Sequence, residues 1–318
     1  MLRIAFIGAG GRARNHLDII AEADGATVVA ICDLEEETAR EAAAPHDAAV
    51  YTDHVEMFES ESRLDAVFVV LPPFAHDDQE LMAIERGIDL FVEKPLALSI
   101  DTAREIVRAV ADRGVVAAAG YQLRYADVTQ RALELVEGRD LALIEGFYKS
   151  GVPPISWWGA RERSGGQVVE QATHVYDLVR LFGGEVNRVA AVGAHQVIEE
   201  IDFEDAVSAN LSFESGAIGN VTSTSAASGF NSGLEIVGEG LWLTLSGTSL
   251  SGTVDGEEVE YEGERDPTRA AVEAFLEAVR TGDSTPIRSD YSDALRSLAL
   301  TFAVEESLET GEPAEPRA

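Results

Sequence analysis

The chain has 318 residues, 46% of them hydrophobic, with 57 acidic against 24 basic residues and a formal net charge of −33. Such a field repels nucleic acid and anionic membrane surfaces, so neither is expected as a partner. A single cysteine, Cys32, excludes an intrachain disulfide and any multi-cysteine metal site.

The length suggests about two domains at roughly 150 residues each, and the apolar content supports packed cores. The acids are scattered along the chain, and only Lys94 and Lys149 among the basic residues are lysine. This is the surface expected of a halophile's protein, solvated at high salt. No apolar run approaches the ~18 residues that span a bilayer, and the chain enters a strand at once, so a cytoplasmic location is expected.

Over the first 120 residues, apolar runs at 2–8, 27–32, 65–72, 90–93 and 115–120 alternate with helical patterns. The runs read as buried parallel strands of a doubly wound α/β Rossmann sheet. Between the first strand and helix lies "GAGGRA" (8–13), which fits G-x-G-x-x-G/A with Gly8, Gly10 and Ala13, Gly11 and Arg12 lying between them. The first glycine permits a tight turn, the second lets backbone N–H groups approach a pyrophosphate, and the small third residue lets helix and strand pack closely. The next strand ends in "ICD", placing Asp33 twenty residues after Ala13. A carboxylate there binds ribose hydroxyls and repels a 2′-phosphate, which favours NAD; Arg12 could offset that repulsion, so NADP stays possible. Ligands of such sheets bind outside the carboxyl ends of the strands, where "PPFAH" (72–76), "EKP" (93–95) and "GYQLRY" (120–125) also fall. Ser99 and Gly114 are candidate caps of a helix between them.

From about residue 141 the pattern becomes strands joined by Gly, Ser and Asn turns, predicting a large mostly antiparallel sheet in an α+β domain. Two helices follow, roughly 267–281 and 292–310, and are expected to pack on this second domain. The division is therefore 1–121, a dinucleotide-binding domain, and 122–318, a substrate-binding and oligomerisation domain. Within "YKSGVPPISWWGARERSGG" (148–166), Lys149, Trp157, Trp158 and Arg161 could line a pocket for a polyhydroxylated small molecule; the tryptophans could equally staple a loop. Tyr121 and Arg124, at the crossover, are further pocket candidates. Along "SGGQVVEQATHVYD" (164–177), helical spacing puts Glu170, His174 and Asp177 on one face. Two ligands on one helix could hold zinc, but no third is evident, so no metal is expected.

These motifs together resemble the Gfo/Idh/MocA family, that of glucose–fructose oxidoreductase and inositol dehydrogenase, over nearly the whole chain. In that family the last stretch usually reads like G-G-G-x-x-x-D-x-G-x-H-x-x-D. Gly165, Gly166, His174 and Asp177 match; Glu170 stands where the aspartate is usual, and Ala172 replaces a glycine. The resemblance implies an NAD(P)-dependent dehydrogenase of a sugar, inositol or related polyol. Leu71, Pro72, His76 and Glu93 would border the cofactor, and Lys94, held by Pro95, would sit beside the nicotinamide, with Glu93 an orienting or structural partner. Lys94 or His174 would take the hydroxyl proton, and Glu170 would orient the substrate or the imidazole. Asp177 would complete the substrate site. A homodimer or homotetramer is expected by the same resemblance. Two other readings stay open: a dinucleotide-binding regulatory protein without turnover, and an NAD-assisted glycosidase or epimerase. His16, His46, His54 and His195 read as surface or packing residues.

Overall fold

The computed structural model describes all 318 residues, Met1–Ala318, as two compact units: Met1–Gln122 with Thr268–Asp293, and Leu123–Pro267 with Ala294–Ala318.

The first unit alternates β1 (Leu2–Ile7), α1 (Gly11–Glu22), β2 (Ala26–Cys32), α2 (Glu36–Ala43), β3 (Ala49–Tyr51), α3 (His54–Ser60), β4 (Ala66–Val69), α4 (Gln79–Glu85), β5 (Asp89–Val92), α5 (Ile100–Arg113) and β6 (Ala117–Ala119). The strands form one parallel sheet in the order β3-β2-β1-β4-β5-β6. This order reverses between β1 and β4, the switch point at which doubly wound sheets bind ligands. The sheet is buried on both faces, which is why β4 reads as an unbroken apolar run and β1 as one from Ile4 onward. Edge strand β3 escapes such reading because it is short and at most half-buried, whereas the equally short β6 is buried throughout. Helix α5 is bounded as its sequence predicts: the Ser99 side chain accepts the Thr102 N–H at 3.3 Å, and Gly114 closes it at φ 69°.

The two closing helices do not both pack on the second unit, contrary to what their sequence position suggests. Helix α9 (Pro267–Thr281) belongs to the first unit, not the second. Phe68 stacks on Phe6 and on Phe91 at centroid distances of 4.9 and 4.8 Å, and Phe275 of α9 meets Phe68 and Phe91 edge-on. Burial of that ring fixes the helix on the first sheet, and Ser289 O then accepts the Ala119 N–H.

The second unit contains α6 (Asp127–Val136), β7 (Leu141–Lys149), α7 (Arg161–Ser164), a π-helical turn (Val168–Ala172), α8 (Thr173–Gly183), and strands β8 (Val186–Ala194), β9 (Ala206–Phe213), β10 (Ile218–Thr224), β11 (Asn231–Gly238), β12 (Leu241–Ser246), β13 (Ser249–Val254) and β14 (Glu257–Glu262). Helix α10 (Tyr291–Thr310) belongs to it from Ala294 onward. The eight strands run β14-β13-β12-β11-β7-β10-β9-β8, antiparallel except for the β7–β10 pair. Alternating burial along β9 and β12 marks a sheet with one face packed and one open. Helix α8 covers the packed face. At Gly146 of β7 a Cβ would lie 2.4 Å from Val175, so glycine is what lets α8 approach.

Candidate active site

The glycine turn fits a dinucleotide. Gly8 adopts φ +94°, and a Cβ there would lie 2.1 Å from the Val70 carbonyl oxygen, so no larger residue fits between β1 and the end of β4. At Gly10 and Gly11 the reverse holds: nothing lies within 4 Å of where a Cβ would project. Helix α1 begins there with no side-chain cap and no acid in its first turn, leaving its N–H groups and positive dipole end open to an anion. Ala13 is fully buried, giving the close helix–strand packing. At the end of β2, the Asp33 carboxylate accepts the Ala9 N–H at 2.8 Å and the Glu35 N–H at 3.0 Å. It is thus pinned beside the turn by the backbone.

After β4, Leu71 and Pro72 are half-buried and Phe74 is exposed. His76 differs from its sequence reading. Its ring is turned inward, with Nδ1 2.5 Å from Oε1 of the fully buried Glu80 one helical turn on. It therefore ties the loop to α4 and presents no open face to a cofactor. Arg12 is likewise engaged: its Nε donates to Glu93 at 2.7 Å and its Nη1 to Thr268 at 3.3 Å. His16, read from sequence as packing or surface, is fully buried with Nε2 2.8 Å from the same Glu93 oxygen. The second Glu93 oxygen accepts the Lys94 N–H. Burial by itself would raise this carboxyl's pKa; the hydrogen bond from His16 and the Arg12 charge outweigh it and hold the group well below the usual range. Lys94 follows, half-buried, with a cis peptide to Pro95.

In the second unit the π-helical turn carries Glu170 directly into α8, where His174 sits half-buried in the first turn. Single π turns recur at functional sites because they re-aim side chains without ending the helix. Trp158 Nε1 donates to Glu170 at 2.8 Å. Tyr148, two residues beyond Gly146 on β7, points to the same face; burial first, then the Glu170 carboxylate, push its phenol up to about 12. It is a proton-bearing hydroxyl throughout the neutral range. Sequence reading passed over Tyr148 in favour of Lys149, although period-two alternation from Ile144 distinguishes the two.

Several predicted substrate residues have other partners. Lys149 lies on the face opposite α8, its Nζ 5.3 Å from the centre of the Phe147 ring. Trp158 is fully buried and packs edge-on against Phe203 beside Ile201, so it staples the loop that bears it. Trp157 packs on that cluster and stays half-buried. Arg161 is held by Glu204 and Glu305, at the rim of an acid-lined cavity of about 580 Å³. Arg124 and Asp177 form a buried two-pronged ion pair at 2.8 and 2.6 Å, with Ser297 donating to Asp177. Each neutralises the other, and neither offers its charge to a ligand. Tyr121, in the first unit, is buried.

Residues 2–121 match the model of an oxidoreductase family with an NAD-binding Rossmann fold, and residues 140–244 match the GFO/IDH/MocA C-terminal domain. The chain belongs to the Gfo/Idh/MocA oxidoreductase family. Among its relatives is the scyllo-inositol 2-dehydrogenase (NAD(+)) of Bacillus subtilis, 27% identical over 98% of this chain and 95% of that one. The 1,5-anhydro-D-fructose reductase of Ensifer adhaerens is 29% identical over 99% and 98%. The WlbA dehydrogenase from Bordetella pertussis, solved with NADH and UDP-GlcNAcA, shares the fold with a TM-score of 0.87 over 100% of this chain and 99% of that one, at 24% identity. This Gfo/Idh/MocA protein is an NAD(P)-dependent oxidoreductase whose first unit carries the NAD-binding Rossmann fold. No helix in it is long and apolar enough to cross a membrane.

Proposed function

We propose that the protein oxidises a secondary carbinol of a sugar, inositol or related polyol, with NAD preferred over NADP. When bound, the cofactor supplies the hydride acceptor. The chain supplies the anion site at the head of α1, the Asp33 carboxylate for the ribose hydroxyls, and the groups that handle the proton. The cofactor preference is carried by Asp33: two backbone N–H groups fix its charge in place, Glu35, Glu36 and Glu37 follow it, and Arg12 is already paired with Glu93. A 2′-phosphate would meet carboxylates with no offsetting cation from Arg12.

Lys94 and His174 are the two groups assigned to the hydroxyl proton, and Glu170, held by the Trp158 indole, orients substrate or imidazole. Tyr148 joins them as a neutral donor. The curated relatives support the substrate class, since those named above act on an inositol and an anhydro-sugar. The reading includes a homodimer or homotetramer working in a salt-rich cytoplasm. It is supported by exposed Val192, Ile218 and Trp242 on the sheet and by the acidic, lysine-poor composition.

The test is a screen of sugars and polyols with NAD and NADP at molar salt, following the absorbance of reduced cofactor. Lys94→Ala and His174→Ala should each lower kcat by about 10²- to 10⁴-fold, the usual share of a positioned acid or base. Wild-type turnover in both variants would discard the assignment.

A further inference from the structure

Arg12 and His16 lie one turn apart on α1, and both end on the same atom, Glu93 Oε1, at 2.7 and 2.8 Å. The other oxygen, Oε2, accepts the Lys94 backbone N–H at 3.2 Å. It also presses on the end of β6: a Cβ at Gly120 would lie 2.6 Å from Oε2 and 2.8 Å from the carboxyl carbon. Gly120 has no positive φ, so its backbone does not call for glycine. The space taken by Glu93 does.

Such an arrangement is costly to build. Glu93 is 4% exposed and His16 not at all, and the imidazole is packed against Phe68 and Phe91. Apolar residues of similar volume would fill this space at lower desolvation cost, so packing alone does not account for the charges. What the carboxylate adds is a rigid link among three segments: the first turns of α1, Lys94 beyond β5 and Gly120 beyond β6. Two of these are the anion-binding turn and Lys94.

We infer that Glu93 is a positioning residue that locks the Lys94 backbone to the cofactor-binding end of α1 through Arg12 and His16, keeping the lysine ammonium in register with a dinucleotide bound there. The inference rests on the reading of Lys94 as a group at the nicotinamide. Gly120 belongs to the same device as the gap that admits the carboxylate, and His16 is a buried donor whose partner is a site residue.

Because the chain holds only two lysines, the test needs no substrate. Acylation of the full-length protein by acetic anhydride, read by mass spectrometry with and without saturating NADH, follows Lys94, with Lys149 on its own sheet face as internal standard. In the wild type, NADH should slow acylation of Lys94 about tenfold or more and leave Lys149 unchanged, as expected for an amine held against a bound ligand. In Glu93→Gln, His16→Phe and Gly120→Ala that protection should fall to about twofold or less, while NADH affinity by fluorescence titration moves less than about threefold. His16→Gln, which returns an N–H donor to Glu93, should restore it.

Full protection in all three variants overturns the inference and leaves the reading of Lys94 standing. No protection in the wild type overturns that reading and the inference with it. Loss of protection together with loss of NADH binding makes the network a prop of the whole cofactor site, which also overturns a positioning role. If Glu93→Gln does not fold, Arg12→Gln carries the same test from a side chain that is 36% exposed.

Discussion

Arg124 and Asp177 show what burial asks of a charged pair. With side chains 5% and 1% exposed, both have given up water, and each carboxylate oxygen accepts one guanidinium nitrogen. A buried pair gains little over apolar residues of the same size, but half a pair leaves an uncompensated charge, at about 3–5 kcal/mol. Asp177→Asn should therefore lower the unfolding free energy by about 3–5 kcal/mol in chemical denaturation, and Arg124→Met with Asp177→Leu should recover most of it. A loss below about 1 kcal/mol would show a solvated pair. In sequence both residues read as polar groups near a pocket. Their partnership spans 53 positions, and residue type alone does not encode which opposite charge a side chain will meet. The same holds for Arg12 with Glu93 and His16 with Glu93, which lie 81 and 77 positions apart. Lys149 differs from these: the alternation along β7 that turns it away from α8 is local and present in the sequence.

At the scale of elements, α7 and α10 meet through Arg161 and Glu305, with Glu204 on the same guanidinium. Burial, the largest influence, and the neighbouring Glu204 push the Glu305 carboxyl up to about 7 against the pull of Arg161. The unfolded chain ionises at 4.5, so between that pH and about 7 the folded state binds more protons than the unfolded one. Stability from this group is complete below the lower value and is lost as pH rises through the upper. The melting temperature should fall from pH 5 to pH 8, and Glu305→Gln should flatten that fall and raise the value at pH 8. An unchanged slope in the variant would show that Glu305 does not keep its proton. Elements themselves were legible wherever local periodicity was long enough. The parallel sheet with five of its six strands, the mostly antiparallel second sheet, both closing helices and the caps of α5 follow from runs, turns and caps along the chain. Strand β3, short and at most half-buried, carried no such signal, and the attachment of α9 depends on one ring, Phe275, entering an aromatic stack built by β4 and β5.

For the whole molecule the governing quantity is the net charge of −33. Carboxylates outnumber their partners across the surface, and their mutual repulsion grows as the Debye length rises from about 3 Å at 1 M salt to about 30 Å at 0.01 M. The protein should therefore melt at lower temperature, or lose activity, when dialysed from molar salt into dilute buffer, and calorimetry across a salt series measures the slope. A melting temperature independent of salt would remove the case for adaptation to brine.

Periodicity and the glycine turn by themselves determined the class of fold, most of its strands and the dinucleotide motif, because each depends on residues close in the chain; Lys94 as a site residue came from the resemblance to the family. Only the tertiary structure decided which charges are spent on one another. It paired Arg12, His16, Arg124, Arg161 and Asp177 with partners from distant segments, and it turned Tyr148 rather than Lys149 toward Glu170. Burial makes an unpaired charge too costly to keep, and the identity of the partner is set by packing across the sheets, which no local pattern records.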